Sequence, residues 1–411
     1  MIVLAGADLV LPEEVVSPGS LIIEDDRIVA IEPRVIDAPA GATRVDLSGR
    51  LVVPGFIDVH VHGLEGHDVL DGPDAIGEVA SRLPRYGVTS FCPTSIACPP
   101  SSLRRLLATV DHIRHADTSA RARVLPSHLE SNFINPEYNG AQPLSCLRSP
   151  RRAVASPRQP VDARLESGHD FTGSDILDVI AAHRGAVSIV TLAPEIDGGM
   201  ELVHELVAAG HIVSIGHSGA SYEQTLEAIG AGVSHATHLF NRMTPLRHRA
   251  PGVPGAVLES PGVAAELICD GFHVYPAVMR VAIRTKGEDG IVAITDGTAG
   301  AGLPVGSRTH LGGRPIVVTE RTAELDDGTV AGSVLTMDGA FRTLVRLAGV
   351  SVVGAARLCA SNPARQLGLS HTGRIAVGLT ADLTVLDREL RVQQTYIGGR
   401  PWRNTAGDGN V

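Results

Sequence analysis

The chain has 411 residues, 44% of them hydrophobic, and a formal net charge of −10. That length suits one large domain plus a small one, with ample apolar material for a core. The acidic balance argues against a nucleic-acid surface, and no apolar run reaches the ~18–20 residues of a membrane span.

The start, Met1-Ile2-Val3-Leu4, lacks the basic residues of a secretion signal, so a cytoplasmic protein is expected. The five cysteines, Cys92, Cys98, Cys146, Cys269 and Cys359, are scattered and fit no thiolate zinc spacing. Reduced thiols are expected.

Residues 1–53 read as short strands. Within 21–31, two apolar runs flank the acidic pair Asp25-Asp26, which predicts a hairpin. Between 54 and 370 the pattern alternates. Eight apolar β-like runs lie at 51–61, 88–92, 123–129, 187–192, 212–215, 233–237, 263–269 and 291–295. Helix-like stretches separate most of them, for example 74–86, 101–114, 200–209 and 221–229. The link at 241–262 reads as loop, with Pro251, Gly252, Pro254 and Gly255 at its centre. After Gly373 short strands return, at 383–386 and 394–397.

This alternation predicts an α/β chain, a (β/α)8 TIM-type barrel over 54–370. The two β-rich ends, 1–53 and 371–411, are expected to pair into one small β-sandwich domain. A doubly wound sheet would give the same alternation; the pattern of ligands decides between them.

His60 and His62 close the first run. Residues i and i+2 of a strand face the same side, so two imidazoles there can reach one ion. Glu130 closes the third run, His217 follows the fifth, His238 the sixth and Asp296 the eighth. These potential ligands sit at the same end of five strands, and closing the sheet into a barrel brings them to one axis. Imidazole and carboxylate without thiolate suit Zn²⁺ or a similar divalent ion, one or two per chain. Such an ion lowers the pKa of bound water to near ~7. A carboxylate beside it can take and return a proton. Asp296 is placed for that role and Glu130 for ligation. The only lysine, Lys286, precedes the last run and cannot supply a carboxylated-lysine bridge; Glu130 could bridge two ions instead. Ser218 follows His217 but lacks the Gly-x-Ser-x-Gly elbow of a serine nucleophile.

Several segments then fall in a recognisable order. They are Pro54-Gly55-Phe56-Ile57-Asp58-Val59-His60-Val61-His62-Gly63, His128-Leu129-Glu130, Val190-Thr191-Leu192-Ala193-Pro194-Glu195 and Gly216-His217-Ser218. Ala236-Thr237-His238-Leu239-Phe240-Asn241, Asp270-Gly271-Phe272-His273-Val274, Ile294-Thr295-Asp296 and Ala331-Gly332-Ser333 follow. Together they resemble the N-acetylglucosamine-6-phosphate deacetylase family of the amidohydrolase superfamily, over nearly the whole chain. The resemblance implies metal-dependent hydrolysis of the N-acetyl amide of an amino-sugar phosphate, a small-molecule substrate. It implies Glu130, His217 and His238 as metal ligands, and His60 and His62 as the holders of a further ion in members with two. Asp296 would be the acid/base, and His273 a catalytic residue that contacts the substrate near the amide or sugar and helps steady the oxyanion. Asn241 and Arg249 match phosphate-binding positions. A homodimer is implied, in which a neighbouring subunit contributes groups near the phosphate.

The chain also departs from the family's pattern. Ser131-Asn132 stands where the family has Gly-Pro, so a different pocket wall is expected. Arg242 follows Asn241 where a small residue is usual, adding a guanidinium for the substrate's anion. Gln142 stands where some members have His, and is placed among the substrate-binding residues. The segment 145–170 is long and carries Arg148, Arg151, Arg152, Arg158 and Arg164; it reads as a solvated loop or as a lid over a charged substrate. These departures open an alternative, a related amidohydrolase deacylating a different N-acetyl compound. Phe133, Phe240 and Tyr275 are expected to pack in the core. His211, His235 and His248 are expected to be structural or surface residues.

Overall fold

A computed structural model describes residues 1–115, 121–151 and 170–403. Arg152, Arg158 and Arg164 lie outside the described residues. Apolar alternation opens the chain. Strand β1 (Ile2–Val10) pairs antiparallel with β2 (Val15–Glu24), which turns into β3 (Arg27–Glu32). The acidic turn predicted between 21 and 31 is there, with Asp25 at φ 51°. β4 (Thr43–Asp46) and β5 (Leu51–Pro54) run parallel to the first and second halves of β1.

The run at 51–61, read as one strand, is two. Gly55 separates β5 from β6 (Phe56–Val61), and the two belong to different sheets. A Cβ on Gly55 would lie 2.3 Å from Thr89 Cγ2, so only glycine fits where the chain changes sheets.

A short hairpin of β7 (Gly63–Leu64) and β8 (His67–Asp68) follows. The barrel then continues through β9 (Val88–Ser95), β10 (Arg123–Val124) and β11 (Ser127–Glu130). β10 and β11 are two parts of the third barrel strand, both parallel to β9. β12 (Val187–Leu192), β13 (Ile212–Ile215), β14 (His235–Ala236), β15 (Ala264–Ile268) and β16 (Ile291–Ile294) complete it, every neighbour parallel. Closure falls just past β6 and β16. The Asp296 N–H donates to His60 O at 2.9 Å and the His62 N–H to Gly297 O at 2.8 Å. Below them, Thr295 Oγ1 donates to buried Asp58 Oδ2 at 2.6 Å.

The outer helices show their apolar faces to the strands. Pro100–Ile113 buries Leu103, Leu106, Leu107 and Val110, a spacing of three and four. Tyr222–Gly230 begins at a capping box of Ser221 and Gln224. The link at 241–262, read as loop, contains the helix Gly252–Glu259. Pro251 precedes its first turn and Pro254 lies within it, where a proline forfeits no helical hydrogen bond. After β16 comes a three-stranded antiparallel sheet absent from the sequence reading, β17 (Arg308–Leu311), β18 (Arg314–Val318) and β19 (Ala323–Leu325).

β20 (Leu383–Leu386), β21 (Val392–Ile397) and β22 (Arg400–Pro401) return to the first domain, β20 lying antiparallel to β5. Both chain ends thus share one eight-stranded sheet and one apolar core, with Leu4, Leu21, Val52, Leu383 and Val385 in it. All five cysteines are buried and unpaired. Among the described residues, no helix is long and apolar enough to cross a membrane.

Asp382 ties the two sheets together. Its buried carboxylate pairs with Arg123 of β10 at 2.5 Å and accepts from Thr372 Oγ1 at 2.9 Å and the Gly398 N–H at 2.8 Å. Removing one partner of a buried pair strands the other. Asp382→Ala is therefore expected to cost about 3 kcal/mol of stability, read as a lower urea midpoint. An unchanged midpoint would show that the tie carries no weight.

Candidate active site

Four imidazoles and two carboxylates meet at the C-terminal end of the barrel. His60 and His62 project from the end of β6, their Nε2 atoms 3.2 Å apart. His217 and His238 follow β13 and β14, their Nε2 atoms 3.1 Å apart. Glu130, the last residue of β11, stands between the two pairs. Its Oε1 lies 2.7 Å from His217 Nε2 and 2.8 Å from His238 Nε2, and its Oε2 3.5 Å from His62 Nε2. Asp296 Oδ1 lies 3.4 Å from His60 Nε2 and 3.2 Å from His62 Nε2. All six residues are buried.

The backbone aims these groups. His217, His238 and Asp296 have φ of 48°, 31° and 50°, the left-handed region that side chains other than glycine seldom adopt. Each costs about 1–3 kcal/mol, which the surrounding structure must offset. Gly332, itself at φ 60°, allows this at Asp296, because a Cβ there would lie 2.8 Å from Asp296 O. Glu195 holds the His217 loop, accepting from Asn135 Nδ2 at 2.9 Å, Ser218 Oγ at 2.8 Å and the Gly219 N–H at 2.5 Å. Ser218 is thus committed to the loop.

Hydrogen bonds on the far side of three of the four rings, those of His60, His62 and His217, fix their tautomers. His62 Nδ1 meets Thr94 O at 3.0 Å and His217 Nδ1 meets Tyr138 O at 2.7 Å. Carbonyl oxygens only accept, so Nδ1 carries the proton and Nε2 turns its lone pair inward. His60 Nδ1 meets Glu266 Oε2 at 2.9 Å, with the same result. Lone pairs 3.1–3.2 Å apart repel unless a proton or a cation lies between them.

With protons as the counter-charge, burial opposes a charge on His60, but Glu266, Asp296 and Glu130 outweigh it and push its pKa to about 10. Burial opposes charge on His62 and His238 too, and neighbouring Asp296 and Glu130 raise both. Burial works against an ionised Glu130, yet His217 and His238 hold its carboxyl well below the usual range. His60 and His62 likewise lower Asp296 against its burial. A divalent ion would replace those protons. The donor set fits one, since His60, His62 and Glu130 form one candidate ligand group and Glu130, His217 and His238 another.

His62, Glu130, His217, His238 and Asp296 floor a cavity of about 320 Å³, with His60 behind them. Gln142, Asn241, Arg242 and His273 line it, together with Phe272 and Leu311. Gln142 is buried and doubly engaged. Its Nε2 donates to Glu130 Oε2, and its Oε1 accepts from the Ala97 N–H at 2.7 Å. His273 Nδ1 meets Asp270 Oδ2 at 2.6 Å, while its Nε2 is buried with no hydrogen-bond partner among the described residues. Arg242 is exposed at φ 51° and packs against Gly140. Arg249 is not among the lining residues; it sits on the exposed turn where Arg247 and Ala250 exchange backbone hydrogen bonds.

Ser131 and Asn132 do not form a different pocket wall. Both are buried behind the cavity. Ser131 Oγ donates to Thr191 O at 2.5 Å, and Asn132 Nδ2 to Cys98 O and Cys146 O at 2.8 and 2.7 Å. Tyr275 is 70% exposed rather than packed, whereas Phe133 is fully buried. Arg148 lies over the Phe171 ring and donates to Phe171 O at 2.6 Å. Glu266, Asp270, Thr94 and the Tyr138 carbonyl were given no role in the sequence reading. For Glu266 a signal existed, a lone carboxylate inside the apolar strand 264–268.

The comparisons with known proteins agree with this geometry. The amidohydrolase family model matches residues 51–402. An N-acetylglucosamine-6-phosphate deacetylase of Lysinibacillus sphaericus is 35% identical over 88% of this chain and 87% of its own. An N-acetylgalactosamine-6-phosphate deacetylase of Escherichia coli O157:H7 is 34% identical over 97% of this chain and 98% of its own. The crystal structure of N-acetylglucosamine-6-phosphate deacetylase from Pasteurella multocida superposes with a TM-score of 0.86 at 27% identity, covering 98% of this chain and all of that one. With its barrel, its ligand groups and full-length relatives in accord, this chain belongs to the amidohydrolase family and, within it, to the N-acetylglucosamine-6-phosphate deacetylase family.

Proposed function

We propose that the protein hydrolyses the N-acetyl amide of N-acetylglucosamine 6-phosphate, giving glucosamine 6-phosphate and acetate. The observation that carries this reading is Glu130 standing between two imidazole pairs, with Asp296 beside them on the cavity floor. Glu130, His217 and His238 would hold one divalent ion; His60 and His62, sharing Glu130, would hold a second. Imidazole and carboxylate favour Zn²⁺. When bound, such an ion supplies Lewis acidity toward the amide carbonyl and makes water more acidic.

The chain's own groups do the rest. Asp296, kept ionised by His60 and His62, accepts the proton of the attacking water and delivers it to the departing nitrogen. His273 carries a proton on the Asp270 side, so its Nε2 is turned toward the substrate, near the amide or the sugar. Gln142 holds Glu130 in place. Asn241 and Arg242 face the substrate's anion across the cavity mouth. Arg249, exposed and outside its own cavity, suits a homodimer in which it reaches the neighbouring subunit's phosphate. The unpaired thiols suit a cytoplasmic enzyme.

Asp296→Asn keeps the volume and removes the proton acceptor. Turnover should fall about 10²–10⁴-fold, while elemental analysis still finds metal at the Glu130, His217 and His238 site. Near-normal turnover would place the base elsewhere.

The anion reading is tested with kcat/KM for N-acetylglucosamine and N-acetylgalactosamine, each with and without the 6-phosphate. The phosphorylated glucosamine derivative should be preferred. Arg249→Ala and Arg242→Ala should mainly raise KM for it, because a guanidinium grips phosphate equally in the ground and transition states. If wild type shows no preference for the phosphate, the substrate assignment fails while deacetylase chemistry stands.

A further inference from the structure

Glu266 lies within β15, fully buried, and is not among the residues lining the cavity. A carboxylate in the barrel interior is costly unless its oxygens are satisfied by donors. Here they are, by a particular set. Oε2 accepts from His60 Nδ1 at 2.9 Å and from the His238 N–H at 3.1 Å; Oε1 accepts from His235 Nε2 at 2.9 Å. His128 Nδ1 lies 3.6 Å from Oε1 but is engaged with Val59 O at 3.0 Å. One side-chain donor and one backbone donor therefore belong to residues of the two opposite imidazole pairs.

We infer that Glu266 is a positioning residue for the metal centre, holding the His60 ring so that the His60–His62 position can bind an ion. This rests on the two-ion reading above. While Glu266 keeps the proton on His60 Nδ1, the His60 Nε2 lone pair points at His62, Glu130 and Asp296. Without an acceptor on that side nothing holds the proton on Nδ1, and the ring can put it on Nε2, where it blocks ligation. The His217–His238 pair depends on Glu266 only through the His238 backbone, so its ion is affected much less. Partners of this kind, one shell behind a ligating histidine, typically change metal affinity by about 10–100-fold.

The test uses metal-free full-length protein titrated with Zn²⁺ in chelator buffers. Ions per chain are counted by elemental analysis, and Co²⁺ absorption reports coordination. Wild type should bind two ions. Glu266→Leu removes both acceptors, whereas the amide oxygen of Glu266→Gln would still serve His60 Nδ1 and the His238 N–H. Glu266→Leu should weaken one ion about 10–100-fold, approaching His60→Asn, with the other ion within a few-fold of wild type. Should that variant fail to fold, Glu266→Asp keeps the charge but draws it back by one methylene, and should show the same one-sided loss to a smaller degree. Two ions at wild-type affinity in the variants would overturn the role of Glu266 alone. Equal weakening of both ions with a lowered melting temperature would overturn it too, in favour of general packing. A wild type that takes up only one ion would instead defeat the two-ion reading, and this inference with it.

Discussion

The burial of Glu130 among four imidazoles is the constraint to which the rest of the molecule answers. Six polar side chains that prefer water share one buried space at the top of the barrel. Such a cluster survives only if most far-side atoms have partners and every charge an opposite; of the four rings only His238 has its Nδ1 buried without a hydrogen-bond partner among the described residues. Thr94 O, Tyr138 O and Glu266 therefore stand behind the rings, and Gln142 behind Glu130. The left-handed backbone at His217, His238 and Asp296 belongs to the same arrangement. It turns side chains inward at places where a relaxed strand end would let them drift toward solvent.

Much of this was legible in the sequence. His60 and His62 share a face because strand residues alternate, and Glu130, His217, His238 and Asp296 betray a barrel because each ends or follows an apolar run. What stayed hidden has physical causes. A positive φ at histidine or aspartate has no compositional signature, unlike one at glycine. Gly55 looks like any residue inside an apolar run, because the close approach of Thr89 that forces the change of sheet comes from a segment distant in sequence. The helix Gly252–Glu259 hid behind its prolines, which break helices elsewhere but not in a first turn. Ser131 and Asn132 looked like a new pocket wall. Their side chains instead bond backbone carbonyls behind the cavity, Asn132 joining two loops.

The barrel's mouth is also more elaborate than eight strand ends. The sheet of β17, β18 and β19 brings Leu311 to the cavity, and its core includes Ile96 from the segment after β9. Phe272, from the loop after β15, lines the cavity as well, with the Arg321 guanidinium 5.9 Å from its ring centre. These apolar groups share the cavity wall with Asn241 and Arg242, above a floor of imidazoles and carboxylates. The Arg242 side chain then sits at the polar rim, where a solvated anion meets it first.

The strand carrying His60 and His62 continues, across Gly55, a strand of the terminal sheet, and that strand is completed by β20, more than three hundred residues later. In the order of synthesis, the first ligand pair emerges near the beginning, yet its scaffold is finished only when 383–386 arrive. The strand β5 that leads into β6 therefore waits for its β20 neighbour over more than three hundred residues, whereas β6 meets its barrel neighbour β9 early. Contacts of such long sequence separation form late and slowly. The sheet that leads into the ligand strand is for this reason finished only by a segment that follows every residue of the ligand cluster in the chain.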